Sequence, residues 1–250
     1  MLFSVITITY NAAATLPPTL ESVAAQTFAD FEYIVVDGAS TDSTVALAQA
    51  APIPNKQIIS KPDRGLYDAM NRGLHTARGN YVIFLNAGDS FPTPATLQTY
   101  ADAITTAPQP PGIVYGQTIL VDANRTPIGE RHLRAPEKLT FHSFANGMLV
   151  CHQAMAVRRD IAPDYDLHYR FSADYDWSIK VLRRSTLNVY TGGVTACYLS
   201  EGLTTANHRA SLIERFRIMG HHYGYLPTIV RHIKFAIRAL LRSKKLKKNR

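Results

Sequence analysis

Strand-like and helix-like segments alternate over residues 1–85, and this alternation limits the possible folds more than any other feature of the chain. The strand-like segments are short and rich in β-branched residues, whereas the segments between them carry apolar residues at helical spacing. The strand-like segments span residues 3–9, 32–37, 56–60 and 80–85. Because strands that alternate with helices pair in parallel, the sequence predicts a doubly wound α/β sheet.

Polar residues gather where these strands end, which is where open α/β sheets bind their ligands. The four ends read Thr9-Tyr10-Asn11, Asp37-Gly38, Pro62-Asp63-Arg64 and Asn86-Ala87-Gly88-Asp89. The sequence therefore places a candidate ligand site at one edge of the predicted sheet.

The pattern changes after a proline-rich connection at 105–112. The segments that follow predict a hairpin that turns near Asn124, a helix at 171–184, a strand at 187–199 and a helix at 207–223. We therefore expect one domain, to which the end of the chain is appended. The predicted boundaries are 1–226 for the domain, with halves at 1–112 and 113–226, and 227–250 for the tail.

The formal net charge of +8 comes from the tail. Residues 228–250 hold nine Lys and Arg and no acid, which leaves 18 of the 27 basic residues against 19 acidic ones elsewhere. A helical projection gives an apolar arc of Ile229, Val230, Ile233, Ala236, Ile237, Leu240 and Leu241 opposite Arg231, Lys234, Arg238, Arg242 and Lys245, with Phe235 beside the basic face. This pattern predicts an in-plane helix on an anionic membrane. The alternative is a helix packed on the domain, with only residues 243–250 in solvent.

Several other classes of protein are disfavoured. Cys151 and Cys197 are too few for a disulfide framework and match no metal spacing, so we expect reduced thiols in the cytoplasm. No leader-like segment precedes the first strand, and no run reaches the roughly 18 apolar residues of a membrane span. The basic tail lacks interleaved aromatic residues, so we expect no nucleic-acid partner.

Three acidic features suit a nucleoside diphosphate ligand, and each has a plainer interpretation. Asp37 can accept hydrogen bonds from a base or ribose, or it can cap a helix. Asp89 can hold a hard cation beside a diphosphate, or it can lie in an ordinary glycine turn. Asp174 and Asp176 project in different directions, so one can act as a base while the other caps the helix or faces solvent. The plainer alternative makes both of them N-terminal helix acids.

Six motifs follow one another along roughly the first 200 residues: TYN, VVDGASTDST, KPDRGLYDAMNRGL, FLNAGD, HQAMAVRR and SADYDW. Taken together and in this order, they resemble the family 2 glycosyltransferases of bacterial polysaccharide assembly. The chain looks most like the branch that builds lipid-linked exopolysaccharide repeat units, such as the colanic-acid type. The family has the GT-A fold, a mixed sheet built around a nucleotide-binding half.

The resemblance implies roles for the matching residues. Asp37 would read the uracil of a UDP-sugar, Asp89 would hold Mg²⁺ or Mn²⁺ on the diphosphate, and Asp174 would be the general base. The other expected donor contacts are Thr9, Asn11, Asp63, Arg64 and Asn86, and the expected acceptor contacts are His152, Gln153 and Trp177. The chain departs from the family where Asn86 and Gly88 replace acids of the metal motif and Ala173 replaces the acid before the base.

The reaction that the resemblance implies is a single inverting displacement. Asp174 would deprotonate an acceptor hydroxyl, which would attack C1 of the donor sugar. The acceptor would be a saccharide, lipid-linked in this branch, which would place the protein at the inner face of the cytoplasmic membrane. The alternatives are a catalytically silent nucleotide-sugar-binding subunit and a sugar nucleotidyltransferase; the latter enzymes have a glycine-rich basic loop where this chain has residues 9–13.

Overall fold

The parallel half of the sheet follows the predicted alternation. A computed structural model describes residues 1–200 and 208–248 and, beyond residue 208, the side chains of 209–235 and 237. The first four strands are β1 (Phe3–Thr9), β2 (Phe31–Asp37), β3 (Lys56–Ser60) and β4 (Tyr81–Phe84). They pair in parallel in the order β3-β2-β1-β4, which confirms the predicted doubly wound arrangement.

The second half of the chain extends this sheet with strands of mixed direction. The added strands are β5 (Ile113–Val121), β6 (Pro127–Glu130), β7 (Met155–Arg158) and β8 (Asn188–Leu199). Strand β7 lies between β4 and β5 and is antiparallel to both, and β8 runs parallel to β5. The predicted hairpin is present as the antiparallel β5–β6 pair. The short strand β7 was not predicted, and its pairing joins the two halves in one mixed sheet.

Helices cover both faces of the sheet. They are α1 (Leu16–Ala24), α2 (Thr44–Ala50), α3 (Leu66–Thr76), α4 (Thr96–Thr106), α5 (Ala173–Arg184), α6 (His208–Tyr223) and α7 (Tyr225–Lys248). Helix α4 was not predicted and ends within the proline-rich connection. Short 3₁₀ segments occur at Phe141–Asn146, His152–Ala154 and Arg159–Ile161.

Two hydrophobic cores lie on opposite faces of the sheet. Because side chains alternate along a strand, Phe3 and Val5 of β1 pack into one core with α1 and α4, whereas Ile6 and Ile8 pack into the other with α3 and α5. Trp177 of α5 is among the largest buried side chains in the second core. With both faces covered, the ends of the parallel strands remain the open edge of the sheet.

Helix α7 packs on the domain along one side only. Thr228 is fully buried and Phe235 packs against the core, whereas Ile229, Ile233 and Ile237 are about half exposed. This explains the position of Phe235, since it faces the protein rather than solvent. No helix in the described part of the chain is long and apolar enough to cross a membrane. The predicted tail side chains Ala236, Arg238, Leu240, Leu241, Arg242 and Lys245 lie outside those described.

Candidate active site

Asp37 lies at the end of β2, directly beside Thr9 at the end of β1. Its fully buried carboxylate accepts hydrogen bonds from Thr9 Oγ1 (2.9 Å), Ser60 Oγ (2.7 Å), the Ser40 amide (2.9 Å) and the Ser40 hydroxyl. Burial alone would raise the pKa of Asp37, but these hydrogen bonds lower it below its ordinary value. The structure therefore brings the predicted residues Thr9 and Asp37 together as an ionised anchor for the loop that follows β2.

Asn11 holds the loops after β1 and β2 against each other. Its backbone adopts a left-handed conformation, with φ of 47°, which Asn tolerates better than most residues. Asn11 Oδ1 accepts a hydrogen bond from the Thr41 amide (2.9 Å), and the Asn11 amide donates to Ser40 Oγ (2.8 Å). Asn11 thus shapes the rim of the strand-end site.

Tyr10, Gly38 and Asp63 form a narrow contact beside Asp37. The Tyr10 ring is 68% exposed, which is unusual for a large aromatic side chain at the end of a buried strand. A methyl group on Gly38 would lie 2.6 Å from Asp63 Oδ2 and 3.3 Å from the Tyr10 ring, so only glycine lets these groups approach. Arg64 lies apart from this contact, because its side chain is 77% exposed and pairs with Asp68 at 2.8 Å.

The turn at residues 86–89 is fastened to α1 and β8. Thr19 Oγ1 accepts a hydrogen bond from the Gly88 amide (3.0 Å) and donates to the Asp89 carbonyl (2.6 Å). The Asp89 side chain is turned inward, where Gln153 Nε2 (2.9 Å) and the Leu199 amide (3.1 Å) donate to its two oxygens. Burial raises the pKa of Asp89 to about 6 in spite of these hydrogen bonds.

Asp174 lies in the first turn of α5 and faces the strand-end site. Tyr67 Oη (3.2 Å) and the Tyr175 amide (2.9 Å) donate to its Oδ1, and His152 Nδ1 lies 3.4 Å from its Oδ2. The side chain is 17% exposed. Burial alone would raise the pKa of Asp174, but the contact with His152, the charge of Arg215 and the Tyr175 amide lower it. Asp174 is therefore an ionised, partly accessible carboxylate.

Asp176 points away from this site, as the spacing of the two acids predicts. It neither caps the helix nor faces solvent, which corrects the expectation for the second acid. Its buried carboxylate contacts His222 Nε2 and Lys180 Nζ, each at 2.6 Å. Burial alone would raise the pKa of Asp176, but these two partners lower it. Asp176 thus fixes α6 to α5.

The predicted acceptor contacts are corrected by burial. Trp177 is 1% exposed, and its indole nitrogen donates to the Pro163 carbonyl at 2.7 Å, so it packs in the core. Gln153 is 3% exposed, and its side-chain amide donates a hydrogen bond to Asp89. Neither side chain faces a site that an acceptor can enter, whereas His152 lies between Asn86 and Asp174.

Four side chains near the site were missed in the sequence. Glu214 of α6 accepts hydrogen bonds from the Arg170 and Phe171 amides, each at 2.8 Å, and so holds the segment that leads into α5. The others are Tyr10, Tyr67 and Arg215. Tyr10 and Tyr67 lie inside motifs that carry the family resemblance, which was a usable signal. Glu214 and Arg215 lie in a helix without a motif, so only the fold reveals their proximity.

The mixed doubly wound sheet matches the GT-A fold, and acidic groups lie at its strand ends with an ionised carboxylate facing them. The chain belongs to glycosyl transferase family 2, whose sequence profile matches residues 4–165. It is 39% identical over 193 residues to a PGL/p-HBAD biosynthesis glycosyltransferase of Mycobacterium bovis (strain BCG / Pasteur 1173P2). The aligned region covers 74% of this chain and 72% of that protein. The family and fold that the resemblance implied are thus confirmed, while the colanic-acid-type branch stays a prediction.

Two solved structures share this fold at low sequence identity. S. aureus TarS in complex with UDP-GlcNAc superposes with a TM-score of 0.73 at 19% identity, over 94% of this chain and 73% of that one. The mannosyltransferase PcManGT from Pyrobaculum calidifontis, in complex with GDP-Man and Mn²⁺, gives a TM-score of 0.62 at 19% identity. The superposition covers 98% of this chain and 79% of PcManGT. Since one was solved with a UDP-sugar and the other with a GDP-sugar, the fold alone does not select the nucleotide.

Asp89 is the carboxylate at the turn where the resemblance implies a metal ion. It is 4% exposed, and each of its oxygens accepts one hydrogen bond, from Gln153 and from the Leu199 amide, which leaves a further lone pair on each oxygen. An acid at position 88 would need the left-handed φ of +96° that Gly88 adopts, with its Cβ 2.9 Å from the Leu199 side chain. Within 1–200 and the described part of α6 and α7, no three His, Cys, Asp or Glu side chains form a metal-binding group. The expectation that Asp89 holds Mg²⁺ or Mn²⁺ stays a prediction, and PcManGT, a structure of the same fold, contains Mn²⁺.

Proposed function

We propose that this protein is an inverting glycosyltransferase that moves a sugar from a UDP-sugar to a hydroxyl of a lipid-linked saccharide in polysaccharide assembly. The observation that carries the proposal is Asp174, an ionised and partly accessible carboxylate that faces the ends of the parallel strands. Membership of glycosyl transferase family 2 supports the reaction class.

In this proposal, the nucleotide base of the donor sugar binds beside Tyr10, Gly38 and Asp63. The exposed Tyr10 ring offers a flat surface on which a base can stack, and base–aromatic stacking is worth about 1–3 kcal/mol. The adjacent Asp63 carboxylate offers an acceptor for an N–H of the base, such as the N3–H of uracil. The resemblance implies instead that Asp37 reads uracil and that Thr9 and Asn11 contact the donor. The buried Asp37 carboxylate already accepts four hydrogen bonds, so in this proposal Asp37, Thr9 and Asn11 shape the pocket by keeping the surrounding loops in place.

Asp174 removes the proton of the acceptor hydroxyl as general base. Its Oδ1 already accepts two hydrogen bonds, whereas Oδ2 has only the contact with His152, so Oδ2 retains an open lone pair for the substrate. The deprotonated oxygen attacks C1 of the donor sugar from the face opposite the leaving group. The bond from C1 to the nucleoside diphosphate breaks, and the configuration at C1 is inverted.

Asp174→Asn tests this assignment. The substitution keeps the size and most hydrogen-bonding positions of the side chain but removes the base, so turnover should fall by about 10²–10⁴-fold. UDP affinity, measured by calorimetry, should stay within a few-fold of wild type. Asp160→Asn removes an exposed carboxylate far from the site and serves as the matched control. Near-wild-type turnover of the Asp174 variant would exclude it as the base. Wild type and control could both bind UDP yet show no turnover with any member of a panel of radiolabelled nucleotide sugars. That result would favour a catalytically silent binding subunit.

The acceptor side of the proposal rests on an apolar surface formed by α6 and α7. Its residues point away from the packed side of α7, which carries Thr228 and Phe235. The exposed members are Leu212, Ile213, Tyr225, Leu226, Ile229, Val230, Ile233 and Ile237. The nine basic residues of 228–250, with no acid among them, complement an anionic lipid surface. Each contributes about 1 kcal/mol near such a surface, so several together give reversible attachment at the inner face of the membrane.

Liposome co-sedimentation tests the membrane attachment. The full chain should pellet with anionic vesicles and be released at high salt, and truncation after Leu226 should abolish binding. A triple substitution of Ile229, Ile233 and Ile237 to Ser keeps α7 and its buried side, and it should also weaken binding. Leu167→Ser changes an exposed apolar residue elsewhere and is the control. Equal pelleting of all forms, or of none, would refute the role of this surface.

A further inference from the structure

We infer that Asn86 and His152 are positioning residues for Asp174: Asn86 holds His152 in its neutral form with the proton on Nδ1, and that proton is donated to Asp174 Oδ2. The inference rests on the proposed role of Asp174 as general base. It concerns a hydrogen-bonded series of three side chains that the sequence motifs place far apart.

The fold brings the three residues together through β4 and β7. Asn86 follows β4, and His152 opens the 3₁₀ segment that leads into β7, which pairs with β4 through Val82 and Val157. Asn86 Nδ2 lies 3.4 Å from His152 Nε2, and His152 Nδ1 lies 3.4 Å from Asp174 Oδ2. The His152 side chain is 8% exposed, so solvent does not replace these contacts.

The chemistry of the two partners determines where the imidazole proton lies. An amide nitrogen only donates, so the Nε2 atom that faces Asn86 Nδ2 must present its lone pair. A neutral imidazole with that lone pair carries its proton on Nδ1, which faces the Asp174 carboxylate as a donor should. An acid at position 86, as in the usual family motif, would instead favour a proton on Nε2 and a charged imidazolium.

This arrangement suits a base that must be ionised yet still accept a proton. A full positive charge next to Asp174 would stabilise the carboxylate strongly and weaken it as a base, whereas a neutral N–H donor orients it with a smaller effect. Asn86 Oδ1 is buried and accepts no hydrogen bond from the described residues, so the amide's contact within this group is the one from Nδ2 to His152.

The first test measures which nitrogen of His152 carries the proton. Nitrogen-15 NMR of the histidine side chains distinguishes the Nδ1–H form, the Nε2–H form and the imidazolium, and His152→Asn assigns the signal by removing it. At neutral pH we expect the neutral Nδ1–H form, which is the minority form of free histidine. An Nε2–H or imidazolium signal would overturn the inference. In Asn86→Asp the signal should change to the imidazolium.

The second test separates positioning from a merely structural role. The amide of His152→Asn can place a donor near the former Nδ1, so its kcat should stay within about 10-fold of wild type, whereas His152→Leu should lose about 10²-fold with little change in donor KM. The acidic limb of the pH–rate profile should shift in Asn86→Asp. Among the described residues, the other charged or titratable groups close to the pair include Tyr67, Asp89, Cys151, Tyr165, Tyr198 and Arg215, and they are unchanged in these variants.

Thermal unfolding of each variant identifies any that fail to fold, and the NMR result on wild type does not depend on them. Equal kcat and pH profiles for wild type, His152→Asn and His152→Leu would refute the positioning role. If those profiles are equal while Asp174→Asn is inactive, the base assignment stands and this inference falls. If Asp174→Asn is active, the proposed function falls, whatever proton position the NMR signal reports.

Discussion

The buried carboxylate of Asp89 should make the stability of the folded protein depend on pH between 5 and 7. Its pKa is raised from 3.8 to about 6 by burial, so the folded protein binds this proton more tightly than the unfolded chain does. A raised carboxyl pKa stabilises the fold at low pH, and this stabilisation is lost as the pH rises through about 6. From pH 5 to 7 the loss from this one group is about 1 kcal/mol.

Asp89→Asn removes the titration and keeps the shape of the side chain. One of the two donors, Gln153 or Leu199, would then face an amide nitrogen, so the variant should be less stable overall. The informative quantity is the difference between its free energies of unfolding at pH 5 and 7, measured by urea denaturation. From pH 5 to pH 7, the free energy of unfolding should decrease by about 1 kcal/mol less in the variant than in wild type. Asp160→Asn, which removes an exposed carboxylate, should keep the wild-type pH dependence.

The same experiment in excess Mn²⁺ tests whether Asp89 is a metal ligand. A cation bound to the carboxylate would lower its pKa and stabilise the fold at pH 7, which would reverse the pH dependence of wild type but not of Asp89→Asn. Coinciding curves with and without Mn²⁺ would contradict a metal ion at Asp89. Identical pH dependence of wild type and Asp89→Asn without metal would refute the reasoning from burial.

Two further substitutions test the base pocket and the core. Gly38→Ala should weaken UDP binding by about 10-fold or more in calorimetry, because its Cβ would lie 2.6 Å from Asp63 Oδ2 and displace the carboxylate that binds the base in the proposal. Unaltered affinity would contradict the proposed pocket. Trp177→Phe should lower the free energy of unfolding by about 2–4 kcal/mol, since it leaves a cavity and an unpaired Pro163 carbonyl, while the KM values for donor and acceptor stay unchanged. A selective rise in acceptor KM with normal stability would restore Trp177 as an acceptor contact.

The sequence was most informative where a local pattern has one structural meaning. The first four strands and the helices between them follow from periodicity and turn residues, because each element is amphipathic or fully apolar in its own sequence. Strand β7 has only four residues, and its identity depends on partners in β4 and β5, so no local pattern reveals it. Helix α4 does carry apolar residues at helical spacing, at Leu97, Tyr100, Ala101 and Ile104, and the adjacent prolines obscured that signal.

The site was predictable in its position but only partly in its contacts. Strand ends located Thr9, Asp37 and Asn86 correctly at one edge of the sheet. The orientation of a side chain within that edge depends on tertiary neighbours, and Asp89 shows this, because its inward turn is caused by Gln153 and by the Leu199 amide. A motif therefore identifies which residues are near a ligand, while hydrogen-bond partners from distant segments decide which of them can touch it.

Helix α6 both positions the general base Asp174 and forms part of the apolar surface, so the truncation after Leu226 must leave α6 complete. Glu214 holds the backbone that leads into α5, His222 pairs with Asp176, and Ser211 lies 2.9 Å from Ser172 at the start of α5, so these contacts of α6 all precede Leu226. The connection to α7 at Gly224 has a φ of +86°, typical of a residue that ends one helix before the next begins. A chain that ends at Leu226 therefore keeps every side-chain contact by which α6 positions the base. Because it loses only α7, its transfer to a water-soluble acceptor analogue reports on the catalytic site, and its transfer to a lipid-linked acceptor in vesicles reports on the membrane surface.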